Sequence, residues 1–298
     1  MKILLTGATG QVGWELTRSL MPLGHVVACD RAACDLAQPD RVGRVVDAVA
    51  PDVIVNAAAY TAVDKAESEP ALAQTINAES VGRLAAAARR HGALLVHYST
   101  DYVFDGRKRT PYLEDDATAP LNVYGATKLA GEQAIAAEGC DHLILRTTWV
   151  YAARGHNFVV TMLRLFAERE RLTVVADQIG APTWARNIAD ATALLVHWAL
   201  ARRAQGEEMA RCFNLAASGE TSWHGFACEI LRQARLRWPD RGWAVDRIDP
   251  IPGADYPVPA TRPANSRLDG GRLAQETGLV MPAWQDALAC CLAERSAP

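Results

Sequence analysis

The chain has 298 residues, of which 50% are hydrophobic and 22% are charged, a composition typical of globular proteins. Its net charge of -3 gives no reason to expect a nucleic-acid partner. No apolar run approaches the roughly 18 residues that span a bilayer, so we expect no membrane partner. The N-terminus shows none of the features of a signal peptide, and we expect a cytoplasmic location.

Seven cysteines and seven histidines are scattered along the chain. No C-x-x-C pair and no zinc-ligand spacing occurs among the cysteines, which are Cys29, Cys34, Cys140, Cys212, Cys228, Cys290 and Cys291. We therefore expect reduced, mostly buried thiols and no metal cluster built on histidine.

The N-terminal stretch is a short apolar strand, residues 3–5, that runs into three glycines and then a helical pattern. The first N–H groups of such a helix lack partners and form a phosphate site. Gly7 would allow the tight turn, Gly10 the approach of a pyrophosphate, and Gly13 close packing of helix on strand. Together with Gln11 and Val12, these glycines are the candidate dinucleotide-binding residues.

Alternating strands and helices follow in the first half of the chain. Strands are predicted at residues 25–30, 53–56, 94–98 and 143–146, helices at 41–50, 71–91 and 123–137, and a polar loop at 104–120. Such alternation is typical of an α/β protein with a Rossmann-type, doubly wound parallel sheet.

The second half mixes helices with fewer strands. Helices are predicted at residues 158–170, 188–203, 224–236, 270–277 and 284–294, strands at 172–175, 211–215 and 243–248, and a proline-rich loop at 249–266. We expect a dinucleotide-binding domain at 1–150 and a smaller, mixed α/β substrate-binding domain at 151–298. Segments within about 180–215 are expected to return to the first domain.

The end of the second strand carries opposing signals for cofactor choice. Asp30 lies twenty residues beyond Gly10 and is suited to the adenosine ribose hydroxyls, which favours NAD. Arg31 could instead pair with the 2′-phosphate of NADP. These residues therefore allow either NADH or NADPH as the cofactor. The alternative is that Asp30 and Arg31 are a solvated charged pair at the end of a strand. Asp35 and Leu36, in the next loop, could reach the adenine.

Two later strand ends carry further candidates. Ala58, Ala59 and Tyr60 follow the third strand, where small side chains would let a cofactor lie against the backbone. A packing contact with a neighbouring helix explains them almost as well. Thr100 and Asp101 end the fourth strand at the same carboxyl edge.

Tyr124 and Lys128 share one face of the helix at 123–137, because they are four residues apart. A phenol with an ordinary pKa of about 10 is a poor proton donor or acceptor near neutrality, and a nearby ammonium lowers that pKa. The Thr100 hydroxyl could hold the reacting oxygen. The spacing alone also occurs on solvated helix faces, and the glycine loop and Thr100 favour a catalytic role.

Several longer motifs make the chain resemble the extended short-chain dehydrogenase/reductase family, and within it the sugar-nucleotide reductases. They lie at residues 10–16, 56–67, 99–106, 120–132, 146–151, 177–183 and 262–268. The resemblance implies that NADPH or NADH reduces the C4 keto group of dTDP-4-dehydro-L-rhamnose to give dTDP-L-rhamnose. Another nucleotide-sugar reductase or epimerase, or a non-catalytic nucleotide-binding regulatory subunit, are the alternatives.

The resemblance also assigns roles to the site residues. Thr100, Tyr124 and Lys128 are the implied catalytic residues: Tyr124 donates the proton, Lys128 lowers its pKa and holds the nicotinamide ribose, and Thr100 bonds the keto oxygen. The implied substrate contacts are Asp101 and Trp149 for the sugar, and Arg262, Asn265 and Arg267 for the diphosphate or nucleotide.

Members of this family are described as dimerising through magnesium held by glutamates. Glu15 and Glu294 fit two of the three places, while the third falls on Arg186 or, with an offset of one residue, Asn187. An arginine cannot ligate a cation. We therefore expect no magnesium bridge, and a monomer or a metal-free homodimer.

Overall fold

The computed structural model describes residues 1–296, so the last two residues of the predicted second domain lie outside the described residues. The strands, in chain order, are β1 (Lys2–Thr6), β2 (His25–Cys29), β3 (Val53–Asn56), β4 (Leu94–Thr100), β5 (His142–Thr147), β6 (Val150–Tyr151), β7 (Arg171–Val175), β8 (Ile179–Gly180), β9 (Thr183–Trp184), β10 (Ala210–Asn214), β11 (Thr221–Ser222) and β12 (Arg247–Ile251).

The helices alternate with these strands through most of the chain. They are α1 (Gln11–Ser19), α2 (Pro39–Val49), α3 (Val63–Ala66), α4 (Pro70–Gln74), α5 (Ser80–His91), α6 (Val123–Glu138), α7 (Phe158–Glu168), α8 (Ala185–Arg203), α9 (Trp223–Arg237), α10 (Gly271–Thr277) and α11 (Trp284–Ala293). No helix within residues 1–296 is both long and apolar enough to cross a membrane.

Six strands form one parallel sheet in the order β10-β5-β4-β3-β1-β2. The strand order reverses between β1 and β3, and ligands of open α/β sheets bind at the carboxyl ends of the strands at such a point. The predicted fold class, an α/β protein with a doubly wound parallel sheet, is therefore confirmed.

Helices cover both faces of this sheet. On one face, Leu16 of α1 and Leu195 of α8 pack with Leu5 in a fully buried cluster. On the other face, the core around Leu4 is built by helices α2, α5 and α6. Alternate residues of the strands feed these two cores, because successive strand side chains point to opposite faces. The parallel strands are consequently apolar on both sides, as their sequences predict.

The second half of the chain has its own core. Helices α7, α9 and α11 pack around Phe166, Phe226 and Leu288, which are fully buried. The two-stranded pairs β7–β12, β6–β9 and β8–β11 surround them. Strand β10 lies beside β5 in the main sheet, so the chain returns there after leaving it.

Two predicted elements differ from the structure. The helix predicted at 71–91 contains a π-helical segment, Thr75–Glu79, between α4 and α5. The strand predicted at 243–248 is wrong in its bounds, since β12 starts at Arg247 and continues through Pro250 into the predicted loop. Proline is tolerated there because, among residues 1–296, β12 pairs with β7 alone and its other edge is open.

The cysteines are free, as predicted for reduced thiols. Four of the seven are buried, Cys212 and Cys228 are half-buried, and Cys290 is exposed. Burial raises the pKa of the Cys34 and Cys140 thiols to about 11, so both stay protonated near neutral pH.

Candidate active site

The glycine loop lies at the carboxyl end of β1, where the sheet changes strand order. Gly7 adopts a φ of +70°, and a Cβ there would lie 2.6 Å from the backbone nitrogen of Ala58 after β3. A Cβ on Gly13 would overlap the carbonyl oxygen of Gly7. Both positions therefore require glycine, and the loop packs directly against the neighbouring strand end.

Helix α1 begins at Gln11 and presents its first N–H groups at this edge. Gly10 is its N-cap and supplies no side-chain cap, and no acidic residue stands in the first turn. The Gln11 Oε1 atom is buried and has no hydrogen-bond partner within the described chain. A free helix start beside an unpartnered polar atom fits the phosphates and amide groups of a dinucleotide.

The residues predicted to reach the adenosine end differ in their surroundings. Asp30 and Arg31 are exposed after β2, and the Asp30 Oδ1 accepts a hydrogen bond from the Ala33 N–H. The Asp35 Oδ1 accepts from the Ala37 N–H, which orders the loop. The side chain of Leu36 is 3% exposed and belongs to the core, so it packs within the protein.

The segment after β3 is held by the π-helical turn. Ala58, Ala59 and Tyr60 are half-buried. The Tyr60 N–H donates to Asn77 Oδ1 at 2.8 Å, and Asn77 Nδ2 donates back to the Tyr60 carbonyl. Asn77 lies within the π-helical segment, and its side chain reaches the strand end and holds it through this pairing.

Thr100 and Asp101 are buried at the end of β4. The Thr100 hydroxyl donates to Asp101 Oδ1 at 3.1 Å and accepts from the Tyr102 N–H. Burial raises the pKa of Asp101 to about 6, although hydrogen bonds to its carboxylate act in the opposite direction. Its Oδ2 atom has no partner within residues 1–296, so a hydrogen-bond acceptor is available beside Thr100.

Tyr124 lies in the first turn of α6, whose N-cap Asn122 accepts a hydrogen bond from the Gly125 N–H. Its ring meets that of Tyr102 edge to face, with centroids 5.5 Å apart. Burial raises the pKa of Tyr124 above its ordinary value, while the Thr100 hydroxyl lowers it. The structure thus brings Tyr124, Thr100 and Asp101 together, as the sequence predicts.

Lys128 is placed differently from the expectation. Its side chain is 2% exposed, and Nζ donates to the Tyr98 carbonyl at 2.5 Å and lies 3.1 Å from His97 Nε2. None of its hydrogen bonds within the described residues reaches Tyr124. Burial lowers the pKa of Lys128 to about 8, against the charge of Glu132. His97 was not predicted from the sequence, although a histidine inside an apolar strand is a signal that the sequence contains.

Trp149 has a φ of +46°, rare for a large side chain. Its ring stacks on Trp223 of α9 with centroids 3.7 Å apart. A Cβ on Gly180 would lie 2.6 Å from the Trp149 ring, so the glycine makes room for the indole. A strained backbone that fixes a pair of tryptophans is typical of a binding site. Trp223 was not predicted from the sequence.

A cleft of about 1210 Å³ lies beside these tryptophans, and Arg262 and Trp223 are among the residues that line it. Arg262 donates to Asp64 at 2.7 Å and to the Tyr102 hydroxyl at 3.1 Å, so it is held next to the tyrosine pair. The cleft joins an apolar, aromatic wall to a fixed cation. Such a lining suits a nucleotide with a diphosphate.

The structure does not bring Asn265 and Arg267 to this cleft. Asn265 Nδ2 donates to the carbonyls of Lys108 and Thr110, and its Oδ1 accepts from Arg267. Arg267 also donates to Glu220 at 2.8 Å. Both side chains hold loop segments together, and Arg267 lines a separate cavity of about 470 Å³.

The places expected for magnesium are joined by an arginine. Arg186 Nε lies 3.0 Å from the Oε2 of Glu15, and its Nη1 pairs with Glu294. A guanidinium between the two carboxylates occupies the position that a cation would need, so these residues do not fit a magnesium ion. No group of three metal-ligating side chains is found within residues 1–296.

Comparisons with known proteins show the family to which the chain belongs. The family model described as RmlD substrate binding domain matches residues 1–297. A Burkholderia thailandensis protein named dTDP-4-dehydrorhamnose reductase is 55% identical over 292 residues, 98% of each chain.

Two crystal structures of proteins with that name are also similar. The one from Clostridium acetobutylicum has a TM-score of 0.90 at 36% identity, and the one from Bacillus anthracis, in complex with NADP, a TM-score of 0.88 at 34%. Each comparison covers 99% of both chains. The chain therefore belongs to the dTDP-4-dehydrorhamnose reductase family, within the extended short-chain dehydrogenases/reductases.

Proposed function

We propose that the chain reduces the C4 keto group of dTDP-4-dehydro-L-rhamnose with NADPH or NADH, giving dTDP-L-rhamnose. The observation that carries this proposal is the meeting of the glycine loop, Thr100 and Tyr124 at one edge of the sheet. The names of the relatives support the substrate, and the NADP in the Bacillus anthracis structure supports the cofactor.

The dinucleotide, when bound, supplies the hydride. The start of α1 and its glycines would hold the pyrophosphate, and Ala58 and Ala59 would leave room for it beside β3. Asp30 and Arg31 are both exposed where the adenosine ribose would lie, so they decide between NADH and NADPH.

In the proposed reaction Tyr124 gives its proton to the oxygen at C4 as that oxygen gains negative charge. Thr100 holds the same oxygen by a hydrogen bond, since its hydroxyl lies beside the phenol. When the amine of Lys128 is protonated, its positive charge stabilises the phenolate that Tyr124 becomes after it has given up its proton. An ammonium facing the site requires Nζ to turn from its present partners, His97 and the Tyr98 carbonyl.

Substrate contacts follow from the surrounding side chains. Asp101 offers an unpaired carboxylate oxygen to a sugar hydroxyl, and Trp149 offers an apolar platform for the ring. Arg262 is suited to the diphosphate in the large cleft. We further propose that residues 1–150 bind the dinucleotide and that later residues mainly bind the sugar nucleotide.

The test is a spectrophotometric assay of NADPH and NADH oxidation with dTDP-4-dehydro-L-rhamnose. Tyr124→Phe is expected to lower kcat by about 10²-fold or more, the usual size of a proton-transfer contribution. Tyr98→Phe is the matched control, because its hydroxyl bonds Thr192 on the other face of the sheet. Unchanged turnover in Tyr124→Phe would contradict the assigned proton donor.

The same assay separates the neighbouring functions. A protein that exchanges its cofactor and oxidises it in proportion to substrate is a reductase. A protein that keeps NAD bound and returns it unchanged after each cycle is an epimerase. Binding without turnover would instead indicate a regulatory subunit.

A further inference from the structure

A row of buried polar side chains crosses three neighbouring strands beneath the site. Thr6 of β1 pairs in register with Asn56 of β3, which pairs in register with His97 of β4. All three are at most 1% exposed. The row ends at Lys128 on α6, so it connects the edge beside the glycine loop with a proposed catalytic group.

The direction of the hydrogen bonds in this row follows from its first members. The Thr6 hydroxyl donates to Asn56 Oδ1 at 2.6 Å, and the Ala58 N–H donates to the same oxygen at 3.3 Å. The amide oxygen of Asn56 therefore faces two donors. Its Nδ2 group faces His97 Nδ1 at 3.0 Å, and an amide NH₂ can only donate.

The tautomer of His97 is determined by this contact. Burial and the charge of Lys128 lower the pKa of His97 well below its ordinary value, so the ring is neutral. A ring nitrogen that accepts a hydrogen bond carries no proton, and the single proton of the neutral ring then lies on Nε2. His97 thus presents an N–H donor to Lys128 Nζ, 3.1 Å away.

An N–H donor facing Lys128 has a direct consequence. An ammonium offers only hydrogens and cannot accept a hydrogen bond, whereas a neutral amine accepts through its lone pair. The amine can still donate to the Tyr98 carbonyl at 2.5 Å. If Nζ is a neutral amine, each of its contacts is a hydrogen bond. If it is an ammonium, the contact with His97 places two donors against each other.

We propose that His97 is a positioning residue whose Nε2–H, fixed by Asn56, favours the neutral amine of Lys128 and so sets the pH above which reduction slows. The proposal rests on the proposed function, because it assigns the ammonium of Lys128 to the active form. The row thereby connects the hydrogen bonding of Asn56, next to the cofactor edge, to the protonation of the catalytic lysine.

None of the charged groups described around Lys128 favours its neutral amine, so we assign that role to His97. Glu132, one turn further along α6, favours the ammonium, but it is itself held by Arg146 of β5 through two hydrogen bonds. The charge of Asp101 acts on Tyr102 and Tyr124. His97 is consequently the titratable ring in direct contact with Nζ.

The first experiment is ¹⁵N NMR of the His97 ring in the full chain without ligand, with the signals assigned by their loss in His97→Gln. The expected result near neutral pH is a protonated Nε2 and an unprotonated Nδ1. A proton on Nδ1 would overturn the proposal. This measurement needs no turnover. The expected His97 tautomer can therefore be wrong while the proposed reaction holds, and the proposed reaction can be wrong while the tautomer is as expected.

The second experiment reverses the tautomer with Asn56→Asp. The introduced carboxylate still accepts from Thr6 and now also accepts from His97 Nδ1–H, which leaves Nε2 as an acceptor for the ammonium. The NMR signals should change to those of the Nδ1–H form. In a plot of kcat against pH, the alkaline limb, that is the pH at which activity falls on the alkaline side, should rise by about one unit. An unchanged tautomer or an unchanged limb contradicts the proposal.

A matched control separates this effect from added charge. Asn77→Asp places the same carboxylate beside α6, where Asn77 contacts Thr127, and it is expected to leave the His97 tautomer as it is. If Asn56→Asp does not fold, His97→Gln takes its place in the test. The amide oxygen of the introduced side chain can turn towards the ammonium of Lys128 and accept a hydrogen bond from it. That variant should also move the alkaline limb upward, and a limb at the parent pH would contradict the proposal.

Discussion

Asp101→Asn is expected to make the protein more stable while lowering its activity. The Asp101 side chain is 2% exposed, and burial raises its pKa to about 6, against the hydrogen bond that its carboxylate accepts from Thr100. A buried carboxylate without a cationic partner destabilises the folded state wherever it is ionised. Asparagine has the same shape and no charge.

The magnitude follows from the two pKa values. The carboxyl titrates at 3.8 when unfolded and at about 6 when folded, a difference of roughly two units. At 1.36 kcal/mol per unit, ionised Asp101 costs about 3 kcal/mol at pH 7. The folded state binds more protons between these values, so stability falls as pH rises from about 4 to about 6 and is then level. The amide hydrogens of asparagine need partners, which reduces the expected gain to about 1–3 kcal/mol.

The assay is urea unfolding of the parent and of Asp101→Asn at a series of pH values. The advantage of the variant should be largest at pH 7 and shrink below about pH 5. Asp105→Asn is the control of opposite sign, because hydrogen bonds from Tyr112 and Arg107 lower the pKa of Asp105. A difference between Asp101→Asn and the parent that does not change with pH would refute the reasoning.

Three further substitutions test other parts of the structure. Gly13→Ala should abolish NADPH binding in a fluorescence titration and cost about 3 kcal/mol in urea unfolding, because its methyl group overlaps the Gly7 carbonyl. Arg146→Met should cost about 3–5 kcal/mol in the same unfolding assay, since it leaves Glu132 buried and unpaired. Magnesium should leave the Tm of the parent unchanged but raise that of Arg186→Glu, which replaces a bridging cation with a third carboxylate.

Local patterns in the sequence predicted the parts of the site that depend on one element. The tight turn predicted at Gly7 and the close packing predicted at Gly13 are confirmed, because Gly7 has a positive φ and a Cβ on Gly13 would overlap the Gly7 carbonyl. Thr100 and Tyr124 meet because a strand end and a helix start both lie at the carboxyl edge of a parallel sheet. The periodicity of apolar residues therefore predicted most of the helices and strands, and with them the position of Thr100 and Tyr124 at one edge of the sheet.

Contacts between distant segments could not be predicted in this way. The direction of the Lys128 side chain depends on His97 in another element, and spacing along α6 contains no information about it. Trp223 stacks on Trp149 only because the first residue of α9 lies beside the turn between β5 and β6. The polar groups of Asn265 are used by neighbouring loops, although its residue type also suits a ligand.

The proline-rich segment shows a second limit of sequence patterns. Pro250 argued against a strand, yet β12 runs through it because a two-stranded sheet leaves one edge without hydrogen bonds. The place of a strand within its sheet thus decides whether proline is tolerated. That place is a property of the whole fold, which a local pattern does not contain.

Transfer of deuterium tests the central claim most directly. Reduction of dTDP-4-dehydro-L-rhamnose with cofactor that carries deuterium at both positions of the dihydronicotinamide C4 is followed by NMR of the sugar nucleotide. The proposed function predicts dTDP-L-rhamnose with one deuterium at C4 of the sugar and one equivalent of oxidised cofactor. A product without deuterium at that carbon, or cofactor that is not consumed, would contradict the claim.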